Sequence, residues 1–198
     1  DDDLRAFEIT AEGAFMLTGP PASGRSTALM MLQQSLRAAL PTASLYYFGN
    51  QKSLLSRRPG WTQTAMGPDA ASELAQSLLA PASQPATPET RMCLIIESIS
   101  DFLGSAADQH LTALIKAAKR NDHFIVGEGE NSTWSQSWPL LMELKSARRG
   151  FALQPESHEG DLLYKTTFPR AKRSEFPEGR GNFVQAGKVR RVQLALPS

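Results

Sequence analysis

The sequence is poor in the residues that build special-purpose frameworks. One cysteine, Cys93, in 198 residues excludes an intramolecular disulfide framework and fits a reducing compartment. Three histidines and one cysteine cannot make an ordinary structural zinc site. No apolar run approaches the ~18 residues of a membrane span, so no transmembrane helix is expected. The first residues, Asp1-Asp2-Asp3, offer neither Met nor the basic region of a signal peptide. The sequence therefore reads as a segment of something longer. What remains is ordinary for a folded domain, with 41% hydrophobic and 21% charged residues.

A net charge of +1 hides an asymmetry. Residues 1–140 carry 10 basic and 14 acidic side chains, and residues 141–198 carry 11 and 6. A basic tail is one footprint of nucleic-acid binding. Here the basic residues are interleaved with acids and prolines and form no stripe, so a solvated face is the plainer reading.

Strands and helices alternate along the chain. The apolar run 14–18 reads as a buried strand, and Gly19 to Gly24 as a turn-rich loop. Leu29, Leu32, Leu36 and Leu40 form a helical stripe ended by Pro41. Strands are expected at 44–48, 92–96, 124–127 and 151–153, and helices at 69–79, 109–120 and 138–149, the last with Gly150 as its C′ residue. Residues 51–68, 81–88 and 154–178 read as irregular. Residues 182–185 and 188–196, joined by Ala186-Gly187, read as a terminal hairpin. This is an α/β pattern: a mainly parallel sheet with helices on both faces.

One motif carries chemistry. Gly19-x-x-x-x-Gly24-Arg25-Ser26 is a P-loop pattern with Arg in place of Lys, and it follows a strand and opens a helix. Backbone amides of such a loop wrap phosphates, helped by the helix dipole. The nucleotide-binding candidates are Gly19, Ala22, Ser23, Gly24, Arg25, Ser26 and Thr27. Pro20 and Pro21 lack N–H groups, but the donors are expected later, from Ala22 to Thr27. Guanidinium keeps the charge of Lys but is larger, planar and forked, so it cannot take the same place. Arg25 can face phosphate or fold across the loop toward Glu97.

The second element is the strand end Leu94-Ile-Ile-Glu97-Ser98. An acid there holds Mg²⁺, with the loop hydroxyl of Ser26 as the other ligand, and a neighbouring carboxylate orients water. Glu97 is one methylene longer than the usual Asp, and Ser98 cannot act as a base at neutral pH. Both departures oppose fast ATP hydrolysis.

These motifs, with Ala147-Arg-Arg-Gly-Phe-Ala-Leu-Gln-Pro155, Gly160-Asp-Leu162, Gly179-Arg-Gly181 and Val192-Gln-Leu-Ala-Leu-Pro197, resemble the FtsK/SpoIIIE-type ATPases. The nearest resemblance is to the type VII (ESX) secretion ATPases, EccC and EssC, and covers nearly the whole sequence. It implies a RecA/FtsK-like P-loop fold and a single ATPase domain over 1–198, the third and often degenerate one of a longer chain. It implies a docking and regulatory role with ATP and Mg²⁺ bound weakly or not at all. The implied partners are neighbouring ATPase domains and the C-terminal export signal of small helical-hairpin substrates, but not DNA. The implied place is the cytoplasm, tethered to the cell membrane through the parent. The rival is an active ATP-driven DNA translocase, and a third reading is a purely structural module.

No short motif marks a docking groove. Trp61, Trp134 and Trp138 are candidates for its wall, since Trp anchors interfaces; core packing is the plainer role for Trp134 and Trp138. Gly127-Glu128-Gly129 follows a strand as a dinucleotide loop would, but its acids would repel pyrophosphate. Arg148 and Arg149 suit a helix C-terminus, or would reach a neighbouring domain as an arginine finger.

Overall fold

The computed structural model describes residues 8–171 and 173–194. One mixed, mostly parallel sheet of eight strands runs through them. The strands are β1 (Gly13–Gly19), β2 (Ser44–Gly49), β3 (Gln63–Met66), β4 (Met92–Ile96), β5 (Phe124–Glu130), β6 (Gly150–Leu153), β7 (Arg180–Gln185) and β8 (Lys188–Gln193). Their order is β3-β2-β4-β5-β1-β6-β7-β8. The first six strands along the chain pair in parallel, and β7 and β8 close one edge antiparallel. The hairpin turn at Ala186 and Gly187 has positive φ at both positions, the two-residue geometry that matches strand twist. Residues 195 and 196 of the expected hairpin lie outside the described residues.

Helices cover both faces, unequally. One face carries α1 (Arg25–Ala39), whose Leu29, Leu32 and Leu36 pack on Phe15, Leu17, Ile95 and Val126. The other carries α2 (Pro68–Ala82), α3 (Asp108–Arg120), the single turn α4 (Asn131–Trp134) and α5 (Pro139–Lys145). Every residue of β4 is buried, which explains its unbroken apolar run. Phe15, Phe124, Phe151 and Phe183 meet on the α1 face with ring centroids 5.3–6.3 Å apart, fastening β6 and β7 to β1.

Four expectations are corrected. Residues 51–68 hold an edge strand, β3, and a 3₁₀ turn at Leu55–Arg57. The second helix continues past Leu79 through Pro81. Ser83 N–H closes its end on Leu79 O at 3.1 Å, and Asn121 Nδ2 caps Ala82 O at 3.1 Å. The helix expected to reach Arg149 stops at Lys145, and Gly150 opens β6 rather than capping a helix. A Cβ at Gly150 would fall 1.9 Å from Met16 O, so β6 can approach β1 only through glycine there. Residues 154–178 contain a helical turn and a π-helical turn, Gly160–Tyr164. That π turn seats Tyr164 under the end of β1: its hydroxyl donates to Phe151 O and accepts from Thr18 Oγ1, both at 3.1 Å.

Candidate functional site

The ends of β1, β5 and β4 lie side by side and deliver three segments to one place. From β1 comes the loop. Gly19 ends the strand with the Ser23 hydroxyl and Leu153 packed so closely that any Cβ would clash. Pro20 O accepts the Ser23 N–H at 3.3 Å, so the prolines form the turn and Ser23 N–H is used inside it. Gly24 has φ +93, a left-handed conformation that suits glycine, and α1 begins at Arg25. The amides of Ala22, Gly24, Arg25, Ser26 and Thr27 have no acceptor among the described residues. Ser23 O, where Thr27 N–H would otherwise bond, instead accepts Gly179 N–H at 3.3 Å. The Ser23 hydroxyl is buried and without a partner. These donors in this curve form an anion nest.

From β4 comes Glu97. Ser26 Oγ donates to Glu97 Oε1 at 3.3 Å, and the Tyr47 hydroxyl donates to Oε2 at 2.5 Å. Burial, reinforced by that bond to Glu97, holds the Tyr47 phenol above its ordinary range, so it remains a donor. Ser26 and Glu97 are thus adjacent and fit the two protein positions of a Mg²⁺ site. Ser98 follows with φ +51, and no carboxylate stands in its place; Asp101 is exposed in the next 3₁₀ turn, Ile99–Phe102.

From β5, between them, comes Glu128, whose pairing with Arg25 the sequence did not show. Arg25 does not reach Glu97. Its Nε donates to Glu128 Oε1 at 2.5 Å, one terminal nitrogen donates to Gly19 O, and the other lies 3.5 Å from Glu130 Oε1. The second Glu128 oxygen accepts the Ser98 N–H at 2.7 Å. Glu128 is 3% exposed. Burial raises its pKa, opposed by the Ser98 amide and the Arg25 charge. The signal for this lay in the run Gly127-Glu128-Gly129-Glu130. It is a strand, not a dinucleotide loop, and strand residues alternate faces. The two glycines face Trp134, Leu144 and Ile99: a Cβ on Gly127 would lie 2.6 Å from Leu144, and one on Gly129 3.0 Å from Ile99. The two acids face the loop.

The aromatic candidates separate. Trp134 is wholly buried and donates its indole N–H to Gly129 O at 3.2 Å, so it belongs to the core and presents no wall to a ligand. Trp138 is 39% exposed over Gly104. Trp61 is half-buried, tilted 37° against Tyr47 with ring centroids 5.3 Å apart and its indole N–H on Leu55 O. The structure does not bring Trp61 and Trp138 together. Between α1 and the segment 50–55 lies an open cleft of about 340 Å³, lined by Ser26, Met30, Lys52, Leu54, Glu97 and Ser98. Arg149 is buried, with its guanidinium on Thr10 O and Glu12 O and 5.6 Å above Phe15, and cannot serve as a finger.

No family model and no curated protein matches the sequence. Solved structures do match. The cytoplasmic domain of the type VII secretion ATPase EccC from Thermomonospora curvata superposes with TM-score 0.76 and 20% identity, over 97% of this chain and 25% of that one. The fold is that of these ATPases. Thermomonospora curvata EccC ATPases 2 and 3, in complex with a signal sequence peptide, match equally well over 38% of that chain. EssC ATPases 2 and 3 from Geobacillus thermodenitrificans give 0.68 at 14% identity, over 93% of this chain and 37% of that one. The genome packaging NTPase B204 of Sulfolobus turreted icosahedral virus 2, in complex with AMPPCP, gives 0.60 at 12% identity, over 95% of this chain and 100% of that one. The chain thus spans a quarter to two fifths of the EccC and EssC chains it resembles. Among the described residues no helix is long and apolar enough to cross a membrane.

Proposed function

We propose that this chain is a degenerate ATPase domain of a type VII secretion motor, serving as a docking and regulatory module with little or no hydrolysis of its own. The observation that carries the reading is the capture of Arg25 by Glu128, with Glu130 beside it. Phosphoryl transfer depends on positioned positive charge around the transferring group. Here the cation of the loop is neutralised by the protein's own acids. Ser98 supplies no base. The amides of Ala22 and Gly24 to Thr27 would hold phosphates, and Ser26 with Glu97 would hold Mg²⁺.

The parent would be a longer chain in which this segment is the third ATPase domain, lying in the cytoplasm and tethered to the membrane through other parts. Its partners would be the neighbouring ATPase domains and the C-terminal signal of small helical-hairpin substrates. The EccC pair in complex with a signal sequence peptide supports that partner class. The cleft beside α1 has Met30, Leu54 and Leu55 among its mostly polar lining, with Leu54 72% exposed, and these would serve one or two anchors. The likeness to a genome packaging NTPase favours the second reading, a DNA translocase. Calorimetric titration separates them. We expect C-terminal substrate peptides to bind with a Kd on the order of micromolar, since ordering a flexible tail costs several kcal/mol, and duplex DNA not to bind. DNA binding that weakens steeply with salt, without peptide binding, would overturn the docking role.

A further inference from the structure

We propose that Glu128 is a specificity-determining residue that makes the phosphate loop take a diphosphate group in preference to a triphosphate. The inference rests on the reading of Gly19 to Thr27 as a phosphate loop and deepens it. Two observations bear on the loop as a ligand site. Five amides, at Ala22, Gly24, Arg25, Ser26 and Thr27, lack acceptors among the described residues. Within the same curve the Ser23 hydroxyl is wholly buried and unpartnered. The five amides serve the phosphates nearest the loop, and the hydroxyl, packed against Gly19, lies beneath them.

The position of a third phosphate is different. In a loop of this pattern the charged residue after the second glycine reaches the terminal phosphates. In this chain that residue is Arg25, and a carboxylate already holds it, anchored on its far side by the Ser98 amide. Glu128 takes Arg25 Nε at 2.5 Å through one oxygen and Ser98 N–H at 2.7 Å through the other. Glu130 stands 3.5 Å from the same guanidinium. Glu128 therefore occupies, with like charge, the cation a third phosphate would pair with. Placing that phosphate there would set its charge against the buried Glu128 carboxylate, where repulsion is strong, with Glu130 adding to it from the rim. A diphosphate keeps the loop amides and avoids the collision.

The test is calorimetric titration of the full chain with Mg-ADP, Mg-ATP and pyrophosphate, for the wild type, Glu128→Gln and Glu130→Gln. Gln removes the charge at Glu128 and still accepts one of its two hydrogen bonds; a thermal melt checks each fold. The wild type should bind ADP at least tenfold tighter than ATP. Glu128→Gln should abolish that preference, chiefly by tightening ATP. Glu130→Gln, altering a partly exposed side chain, should reduce it in part. Pyrophosphate as strong as ADP would place recognition in the phosphates alone, and ADP stronger than pyrophosphate would add the nucleoside; both agree with the proposal. ATP bound as tightly as ADP by the wild type, an unchanged ratio in Glu128→Gln, or no binding of any of the three would overturn it. None of these outcomes touches peptide docking, which the separate titration decides.

Discussion

At the scale of single residues, the site is governed by a charge that is nearly out of water. Glu128 is buried on β5, and Arg25 is its cationic partner. Removing one partner of a buried pair leaves the other charge uncompensated. Arg25→Ala should therefore cost about 3–5 kcal/mol near neutral pH, read by urea denaturation. The pH dependence has a definite sign. Burial holds Glu128 above its ordinary pKa, so the folded state keeps that proton longer than the unfolded state does. Stability from this group is fullest below about 4.3, and it falls as pH rises through the raised native value. Without Arg25 the native value rises further. The deficit of Arg25→Ala relative to wild type should accordingly narrow on acidification toward pH 5. A deficit that stays constant with pH would show that Arg25 acts through packing. The replacement of Lys by Arg and the absence of a carboxylate at Ser98 were legible in the sequence. The partner of Arg25 was not, because Glu128 is 103 residues away and only the sheet order brings it there.

At the scale of elements, β5 shows how one strand serves two purposes. Its period of two sends Gly127 and Gly129 to the α5 face and Glu128 and Glu130 to the α1 face. A Cβ at Gly129 would lie 3.0 Å from Ile99 and 3.2 Å from the Trp134 indole nitrogen. Gly129→Ala should thus destabilise by about 1–3 kcal/mol, the range of overpacked cores. Thermal melting should register a loss of about 2–4 °C per kcal/mol in a domain of this size. An unchanged melting temperature would mean that Trp134 moves aside freely. Long apolar strands and the leucine stripe of α1 were readable, because burial and periodicity leave direct marks in sequence. β3 was not: it is a four-residue edge strand with one buried side chain. Pro81 misled in the opposite direction, since the last turn of α2 tolerates it once Ser83 and Asn121 close the helix end. Gly150 looked like a helix cap and proved to be a point of close strand approach.

At the scale of the whole molecule, the strand order β4-β5-β1 sets the chemistry. It places the phosphate loop and Glu97 on either side of β5, so whatever β5 carries at its end controls the gap between them. Here it carries acids that hold the loop's own cation. The α/β class, the parallel sheet and the terminal hairpin followed from the alternation of elements. The resemblance to secretion ATPases is matched by the fold, while the docking surface left no comparable mark, because a peptide groove is assembled from distant segments. A loop so arranged should not turn over ATP. Steady-state hydrolysis at saturating Mg-ATP, with Ser26→Ala as the control, tests this most directly. The two proteins should be indistinguishable, at a rate far below the ~1 s⁻¹ at the low end of ordinary enzymes. A wild-type turnover near that value, abolished by Ser26→Ala, would contradict it.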